Sequence, residues 1–373
     1  MTPLQEYCKV NGHLGIKEAF GIYTYEHPTL PLIGFKYNQI ESPKTDKVVR
    51  YSRGTILHKD SYDLIGQSFI RFFNYGEHLE EMKAFNWGNF TVTEKCDGSL
   101  AIVYNFDNKW HMNTSGSFGL GKINTWSDYT WQSLFWETAE KGGLKGLNPE
   151  FTYIFELCSM HNKVVRIYPT PKVFLLSVFC GENELSPDQV KEEGLRINAT
   201  MPESYHFSSL NDIEVFLSNK EKEDSSFEGV VIRDNNGIRF KIKSKTYLAL
   251  HRLADNGNIA NPANFVPLIL AGETSEVLCY FPELKDKFKE VQAELDIEYF
   301  KMSDLWEKNK DAITQKDFAL AVKDAKFAGL LFQMKKNSNL DLKKLWLENG
   351  ELIAKKLYGN FKSKAPPVFY TDP

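Results

Sequence analysis

The chain has 373 residues, a formal net charge of −4 and 14% aromatic residues. This length predicts about two domains, each with its own hydrophobic core. The weakly acidic balance excludes a general electrostatic attraction to nucleic acid, so any such binding requires a local basic surface.

The cysteines and apolar runs indicate a cytoplasmic protein. Five cysteines are scattered along the chain without the spacing of a zinc site, which fits a reducing compartment. The first residues, Met1–Glu6, lack the basic and apolar regions of a signal peptide. The longest apolar run, Val173–Cys180, is too short to span a bilayer and predicts a buried strand. We therefore expect no membrane contact.

Two regimes follow each other along the chain. Up to residue 245, short strand-like runs alternate with turns, and helical patterns cover Trp126–Lys141 and a segment that Ser186 would cap. From residue 246 onward, apolar residues recur every three or four positions, first over Leu284–Tyr299 and then over 316–334 and 340–357. The sequence predicts an α+β domain of antiparallel sheets with flanking helices over 1–245, followed by an all-helical domain over 246–373.

Two arginines in the first half stand beside residues suited to a ligand site. Arg53 precedes Gly54, and Arg71 precedes an aromatic pair, Phe72-Phe73. Each element is ordinary when it is taken alone.

The segment Lys95-Cys96-Asp97-Gly98-Ser99 lies between two strand-like runs. A lysine in such a turn can act as a nucleophile once burial or nearby cations lower its pKa. Gly98 would let the backbone approach a ligand closely, and Ser99 would meet phosphate oxygens. The alternative is a simple hairpin turn, because Asp-Gly is a common turn pair.

Two further segments carry carboxylates. Glu156 lies in an alternating strand pattern between Phe155 and Leu157, so it either faces solvent or binds a ribose hydroxyl or a metal-bound water. Glu228 begins a predicted hairpin whose second strand alternates apolar residues with Lys241 and Lys243. If the residue numbers of opposed positions in this hairpin add up to an odd number, Glu228 shares a sheet face with both lysines. The alternative is the wet side of a half-buried strand.

Lysines are dense in the predicted helical domain. No arginine follows Arg252, and the segment from Leu320 to Lys364 contains ten lysines but four acidic residues. This pattern indicates either a solvated helix face or a surface for phosphate backbones.

The order of these elements resembles the covalent nucleotidyltransferase superfamily of polynucleotide ligases and capping enzymes. Within it, the chain resembles the RNA ligase family of T-even phage RNA ligase 1. The elements that carry this resemblance follow in chain order, over roughly residues 20–252: Arg53-Gly54; Arg71-Phe72-Phe73-Asn74; Lys95-x-Asp97-Gly98-Ser99; Phe155-Glu156; Asn162-Lys163-Val164-Val165; Glu228-Gly229; Lys241-x-Lys243; and Tyr247-x-x-x-His251.

The resemblance implies a nucleotidyltransferase fold and a role for each residue. Lys95 would accept AMP from ATP, and Asp97 and Gly98 would position it. Glu156 and Glu228 would hold Mg²⁺ or Mn²⁺, with Glu156 also near the ribose. Lys241 and Lys243 would hold the α-phosphate. Arg53 and Arg71 would hold outer phosphates or RNA ends.

The implied activity is ATP-dependent joining of 5′-phosphate and 3′-hydroxyl RNA ends, for example in tRNA repair. The implied protein is a monomer, located in the host cytoplasm if a phage encodes it, and its helical domain selects the RNA. One departure stands out: the segment Asn113–Ser117 has no basic residue, whereas the family usually has one there.

Two other hypotheses remain open. The first is a DNA ligase or capping-type enzyme, although such enzymes usually append a small β-barrel after the paired lysines. The second is a non-catalytic RNA-binding protein on a ligase scaffold, which would form no covalent AMP adduct.

Overall fold

The computed structural model describes residues 1–38, 41–244, 261–272, 274–280, 282–312, 314–337 and 340–359. The chain divides into two compact units, residues 1–248 and 249–373. The sequence placed the boundary at 245/246. Tyr247 and His251, two of the residues that carry the resemblance, lie outside the described residues.

The first unit contains three antiparallel-dominated sheets. Sheet A has the strand order β1-β2-β3-β4, sheet B the order β12-β6-β13-β14-β5, and sheet C the order β11-β10-β9-β7-β8. Within them only β14 and β5 pair in parallel. The strands are β1 (Ile22–Glu26), β2 (Leu32–Tyr37), β3 (Ile56–His58), β4 (Leu64–Gly66), β5 (Phe73–Asn74), β6 (Phe90–Glu94), β7 (Ser99–Phe106), β8 (Lys109–Asn113), β9 (Phe151–Cys158), β10 (Lys172–Cys180), β11 (Asn183–Glu184), β12 (Ser204–Tyr205), β13 (Gly229–Asp234) and β14 (Arg239–Lys243).

Among the described residues of the first unit, seven helices cover the outer faces of these sheets. They are α1 (Pro3–Asn11), α2 (Ile16–Phe20), α3 (Lys47–Arg50), α4 (Leu79–Ala84), α5 (Trp131–Lys141), α6 (Pro187–Arg196) and α7 (Leu210–Glu223). Ser186 caps α6 through a reciprocal bond with Gln189, as the sequence predicted. The predicted helix from Trp126 begins later, at Trp131, because Thr130 forms the cap. The sequence analysis missed α7.

The core of the first unit is layered. Apolar residues of sheets A and C, such as Ile56 and Ile102, pack against each other. The opposite face of sheet C packs with α5 and α6 around Phe155. Sheet B packs separately with α4 and α7 around Phe240. This arrangement leaves polar side chains where strand ends of sheets B and C meet.

In its described residues, the second unit is helical. Its helices are α8 (Pro262–Leu270), α9 (Thr274–Tyr280), a 3₁₀ turn (Pro282–Leu284), α10 (Lys285–Asn309), α11 (Gln315–Val322), α12 (Ala328–Lys336), α13 (Leu342–Glu348) and α14 (Gly350–Tyr358). A single apolar cluster that includes Phe288 and Trp346 holds them together. The predicted 316–334 and 340–357 helices are each two shorter helices, and the second pair is interrupted at Asn349-Gly350.

These observations confirm the predicted class of antiparallel sheets with flanking helices and a helical C-terminal region. Throughout the described ranges, every helix is too short or too polar to cross a bilayer.

Candidate active site

Lys95 lies where the chain passes from one sheet to another. Strand β6 ends at Glu94 in sheet B, and strand β7 begins at Ser99 in sheet C. The two strands do not pair, which excludes the hairpin-turn interpretation of this segment. Lys95 is thus a linker residue between two sheets, with neighbours from both.

Glu228 reaches Lys95 because β6 and β13 are antiparallel neighbours. The Lys95 N–H donates to Gly229 O at 2.9 Å, so the end of β6 adjoins the start of β13. One residue earlier, the Glu228 carboxylate lies with Oε2 2.8 Å from Lys95 Nζ. Only 5% of the Glu228 side chain is exposed, so water screens this ion pair little.

The predicted register of the hairpin was wrong, although Glu228 and Lys243 do meet. Gly229 pairs with Lys243 and Val231 with Lys241, so the residue numbers of opposed positions add up to an even number. Regular alternation would then turn Glu228 away from Lys243. Gly229 has φ of 142°, which interrupts the alternation just after Glu228. Glu228 Oε1 consequently lies 3.5 Å from Lys243 Nζ.

Only glycine fits at position 229. A Cβ there would lie 2.2 Å from the carbonyl oxygen of Ile242 and 2.7 Å from Lys243 Cα. The close backbone approach and the positive φ therefore both require this residue, and both serve to place Glu228.

The polar face of β13 and β14 is covered by other residues of the first unit and is not a solvent-exposed strand face. Arg239 and Arg233 pair with Glu184 of β11, and the Arg239 guanidinium covers Phe69. Further along the same face, the Lys241 amine lies 5.2 Å from the centre of the Phe72 ring. On the opposite face, Phe240 and Ile242 are buried, as predicted. Two arginines thus hold sheet B to β11, while Lys243 reaches Glu228.

Glu156 approaches the cluster from sheet C. It lies opposite Leu100 near the end of β9, where β7 begins. The pKa of the Glu156 carboxyl is raised to about 7, chiefly by burial and also by the nearby carboxylates of Glu228 and Asp97, against the lowering effect of Lys95 and Arg53. A carboxyl with these neighbours is not a solvent-facing strand residue.

Lys95 is an ammonium ion in this arrangement. Burial lowers its pKa, but the surrounding carboxylates, Glu228 first and then Glu156, outweigh burial and raise the pKa above its ordinary value. A nucleophilic role therefore requires that this negative field be neutralised.

Asp97 and Gly98 act through the backbone. Asp97 is buried, and its Oδ2 accepts the N–H groups of Val165 (2.9 Å) and Arg166 (2.6 Å), which fixes the loop after β9. A Cβ at Gly98 would lie 2.4 Å from Leu157 O. Gly98 therefore permits the close approach of β9, a role that the sequence analysis did not predict.

Arg53 lies on the Glu156 side of the cluster. Its charge lowers the pKa of Glu156, against the dominant effect of burial. Gly54 has φ of 81°, and a Cβ there would lie 2.6 Å from Ile102 Cδ1 and 3.0 Å from Ser115 Cα. The glycine lets the Arg53 turn lie directly on sheet C.

Arg71 contacts a different set of residues. Its Nη2 is 3.2 Å from Glu77 Oε1, and its guanidinium lies 4.3 Å from the centre of the Phe73 ring. Within the described residues, Nε and Nη1 are buried without a hydrogen-bond partner. Unpaired buried donors are costly, so they suit an anion that binds here. No contact within the described residues joins Arg71 directly to Lys95.

The carboxylates suit a divalent cation that is shared with a phosphate ligand. Among the described residues, no group of three His, Cys, Asp or Glu side chains forms a complete metal site. Mg²⁺ is typically held by one or two carboxylates together with substrate phosphates and waters. Glu156 and Glu228, which come from the two sheets that Lys95 connects, match that donor set, and a bound cation would favour the ionised form of the buried Glu156 carboxyl.

Two residues to which the sequence analysis gave no role, Asn162 and Arg166, support the pocket. Asn162 donates to Ser99 Oγ at 3.0 Å and to Leu157 O at 2.6 Å, so Ser99 is engaged inside the protein. Arg166 bonds Glu94 Oε1 at 2.5 Å, directly before Lys95. The Asn162 element was in the sequence pattern, but its hydrogen bonds depend on how β7 and β9 pair.

Comparisons with known proteins identify the class and then the family. An archaeal ATP-dependent RNA ligase structure superimposes with a TM-score of 0.51 at 14% identity over 78% of this chain and 79% of that chain, which shows a shared fold. A family model described as RNA ligase matches residues 51–248. The chain belongs to this RNA ligase family.

Two curated relatives match over parts of their length. A protein of Autographa californica nuclear polyhedrosis virus, assigned as a bifunctional polynucleotide kinase/RNA ligase, is 31% identical over 69% of this chain and 38% of its own length. An RNA ligase of Rhodothermus phage RM378 is 28% identical over 59% of this chain and 64% of its own length. The chain thus matches less than two thirds of either relative.

Proposed function

We propose that this protein is an ATP-dependent RNA ligase that joins 5′-phosphate and 3′-hydroxyl ends through a lysyl-AMP intermediate. The observation that carries the proposal is the position of Lys95 between two sheets, with its amine 2.8 Å from Glu228. Membership of the RNA ligase family supports the substrate class.

In the first step, Lys95 Nζ attacks the α-phosphorus of ATP. A P–N bond forms, the bond to the β-phosphate oxygen breaks, and pyrophosphate leaves. Lys95 loses a proton first, and Glu228 Oε2 is the acceptor within reach. Lys243 and Lys241 neutralise charge on the transferred phosphate. A divalent cation bound at Glu156 and Glu228 would offset the negative field that keeps Lys95 protonated and would act as a Lewis acid.

The two later steps use the same pocket. An oxygen of the RNA 5′-phosphate attacks the phosphorus of lysyl-AMP, the P–N bond breaks, and Lys95 regains a proton. The 3′-hydroxyl of the second end then attacks the RNA 5′-phosphorus, loses its proton, and displaces AMP. Arg53 and Arg71 are proposed to bind phosphates of ATP or of the RNA end.

The helical second unit is proposed to select RNA and not to take part in adenylylation. None of the residues that we assign to nucleotide chemistry lies in its described part. We further propose that the protein acts as a monomer in the cytoplasm, or in the host cytoplasm if a phage encodes it. The cysteines described by the structure are free, and Cys8, Cys96 and Cys158 are buried.

The test is formation of the AMP adduct from α-labelled ATP and Mg²⁺. We expect Lys95→Ala to abolish the labelled protein and sealing of 5′-phosphate ends, while sealing of ends supplied already adenylylated continues. Lys122→Ala is the matched control, since that lysine is exposed and the structure pairs it with an exposed acid, Asp128. ATP-dependent sealing by the Lys95 variant at the normal rate would overturn the proposal.

The molecule that accepts AMP distinguishes an RNA ligase from a DNA ligase or a capping-type enzyme. Labelled AMP should transfer to 5′-phosphate RNA in preference to matched DNA ends or to a diphosphate RNA cap acceptor. Failure of the parent protein to form any adduct would favour the non-catalytic RNA-binding hypothesis.

A further inference from the structure

Lys36 lies beside the Arg53 turn, on strand β2. The Gly54 N–H donates to Phe35 O at 2.9 Å, and the Phe35 N–H donates to Thr55 O at 3.2 Å. Strand β2 pairs with β3 in the register Gly34 to Ile56, and continuing it places Lys36 opposite Gly54. Because Phe35 is fully buried in the core, alternation directs Lys36 to the opposite face of the strand.

The side chain of Lys36 extends across Gly116. A Cβ built at Gly116 would lie 2.7 Å from Lys36 Cδ and 2.9 Å from its Nζ. A side chain at position 116 would displace the end of Lys36, so the glycine leaves room for this lysine to lie across the segment.

The same segment adjoins Arg53 as well. A Cβ at Gly54 would lie 3.0 Å from Ser115 Cα, so the Arg53 turn and the Lys36 amine meet the chain at consecutive residues. Arg53 in turn acts on Glu156, whose pKa it lowers against the larger effect of burial. Lys36 therefore belongs to the wall of the pocket that Arg53 forms.

Two features make Lys36 suited to an anion. Its side chain is exposed, and among the residues that the structure describes no carboxylate pairs with its amine. The segment that it crosses, Asn113–Ser117, contains no cation of its own. Beside this segment, a phosphate held by Arg53 would thus gain a further positive charge from Lys36 of β2.

We propose that Lys36 is a phosphate-binding residue of this pocket and that it supplies positive charge from β2 beside Asn113–Ser117, a segment with no cation of its own. The ligand is a phosphate group, either the outer phosphates of ATP or the 5′-terminal phosphate of RNA. The proposal rests on the function proposed above, because it assigns this residue to the same site. A cation at a developing or transferred phosphate typically contributes tenfold or more to rate.

The experiment compares Lys36→Ala with Lys36→Arg and with a relocated charge, Lys36→Ala plus Ser115→Lys. Lys109→Ala is the control. Lys109 is an exposed lysine of sheet C, at the opposite end of β8 from Asn113. Two arms separate the phosphate sources. One measures single-turnover adenylylation and the dissociation constant of an ATP analogue with a methylene bridge between the α- and β-phosphates. The other measures AMP transfer from purified enzyme–AMP to 5′-phosphate RNA.

If the outer phosphates of ATP are the ligand, Lys36→Ala should weaken analogue binding and slow adenylylation by about tenfold or more, with AMP transfer unchanged. If the RNA end is the ligand, the loss should appear only in transfer. In either case Lys36→Arg should retain function, and adding Ser115→Lys to Lys36→Ala should restore at least part of it. Parental values in both arms, or equal losses in the Lys109 control, would overturn the role of Lys36. Absence of any adduct in the parent protein would instead refute the proposed ligase function.

Discussion

Glu156 should make the ligand-free protein less stable at alkaline pH, and Glu156→Gln should remove that cost. Burial raises the pKa of this carboxyl from its ordinary 4.5 to about 7. The folded protein therefore holds a proton between these values that the unfolded chain has lost. Stability must then decrease as the pH rises through this interval and level off above about 7.

The magnitude follows from the pKa difference. Each tenfold change in proton affinity corresponds to about 1.4 kcal/mol, which sets an upper limit of about 3 kcal/mol for the ionised carboxylate. Because water reaches part of the side chain, we expect glutamine to raise the free energy of unfolding by about 1 to 3 kcal/mol above pH 7.5. Near pH 5 the two proteins should differ little.

The assay is denaturant or thermal unfolding of the full chain in EDTA, without nucleotide, from pH 5 to 8.5. The quantity of interest is the difference between the variant and the parent at each pH, since most other titrating groups cancel. Glu150→Gln, an exposed glutamate just before β9, is the control and should show no pH-dependent difference. The variant should also lose adenylylation activity. A Glu156→Gln protein that is no more stable at pH 8.5 than at pH 5, relative to the parent, would refute the burial argument.

Three further expectations concern other parts of the molecule. Lys243→Ala removes a cation that shares Glu228 with Lys95, the proposed nucleophile. The Lys95 amine should then hold its proton more tightly, and the pH–rate profile of adenylylation should move to higher pH; an unchanged profile would place Lys243 outside the reaction. Gly229→Ala should lower the melting temperature and abolish the adduct because its Cβ would meet backbone, whereas Gly237→Ala, also at positive φ but in open space, should cost only backbone strain. Replacing both Lys336 and Lys344 with alanine should reduce the salt dependence of RNA binding by up to about 0.7 to 0.9 per lost phosphate contact; an unchanged slope would indicate a solvated helix face.

The chemistry of the site could be predicted from local sequence more readily than its geometry. The alternation around Lys241 and Lys243 was enough to separate core residues from polar ones, because it depends only on the strand period. The register of the same hairpin was predicted wrongly because an odd number of residues, five, separates its last opposed pair, Arg233 and Arg239. The positive φ of Gly229 then places Glu228 beside Lys243 without changing any residue type. The packing role of Gly98 was missed for a related reason: its neighbour is β9, about 60 residues away along the chain, and nothing local indicates that contact.

Residues that act from a distance left the weakest signal in the sequence. Lys36 is a single lysine in a short strand, and its relation to Gly116 exists only after sheets A and C have packed. The predicted helices near 316–334 and 340–357 were too long because periodicity continues across a break, while Asn349 changes the chain direction. The lysine-dense region was also interpreted too uniformly: the Lys335 amine donates to the carbonyls of Lys310 and Ala312, so it stabilises the helical unit and is a poor candidate for RNA contact.

Because the groups of the proposed active site are divided between two sheets, their activity should depend on how well sheets B and C pack against each other. Glu228 and Lys243 belong to sheet B, Glu156 belongs to sheet C, and Lys95 is the link between them. A modest loss of packing between the sheets would separate these groups while each sheet kept its own hydrogen bonds. Adduct formation should therefore fail on heating before far-ultraviolet circular dichroism changes, and variants selected for thermal tolerance of activity should carry their substitutions at the seam between the sheets and not inside either one.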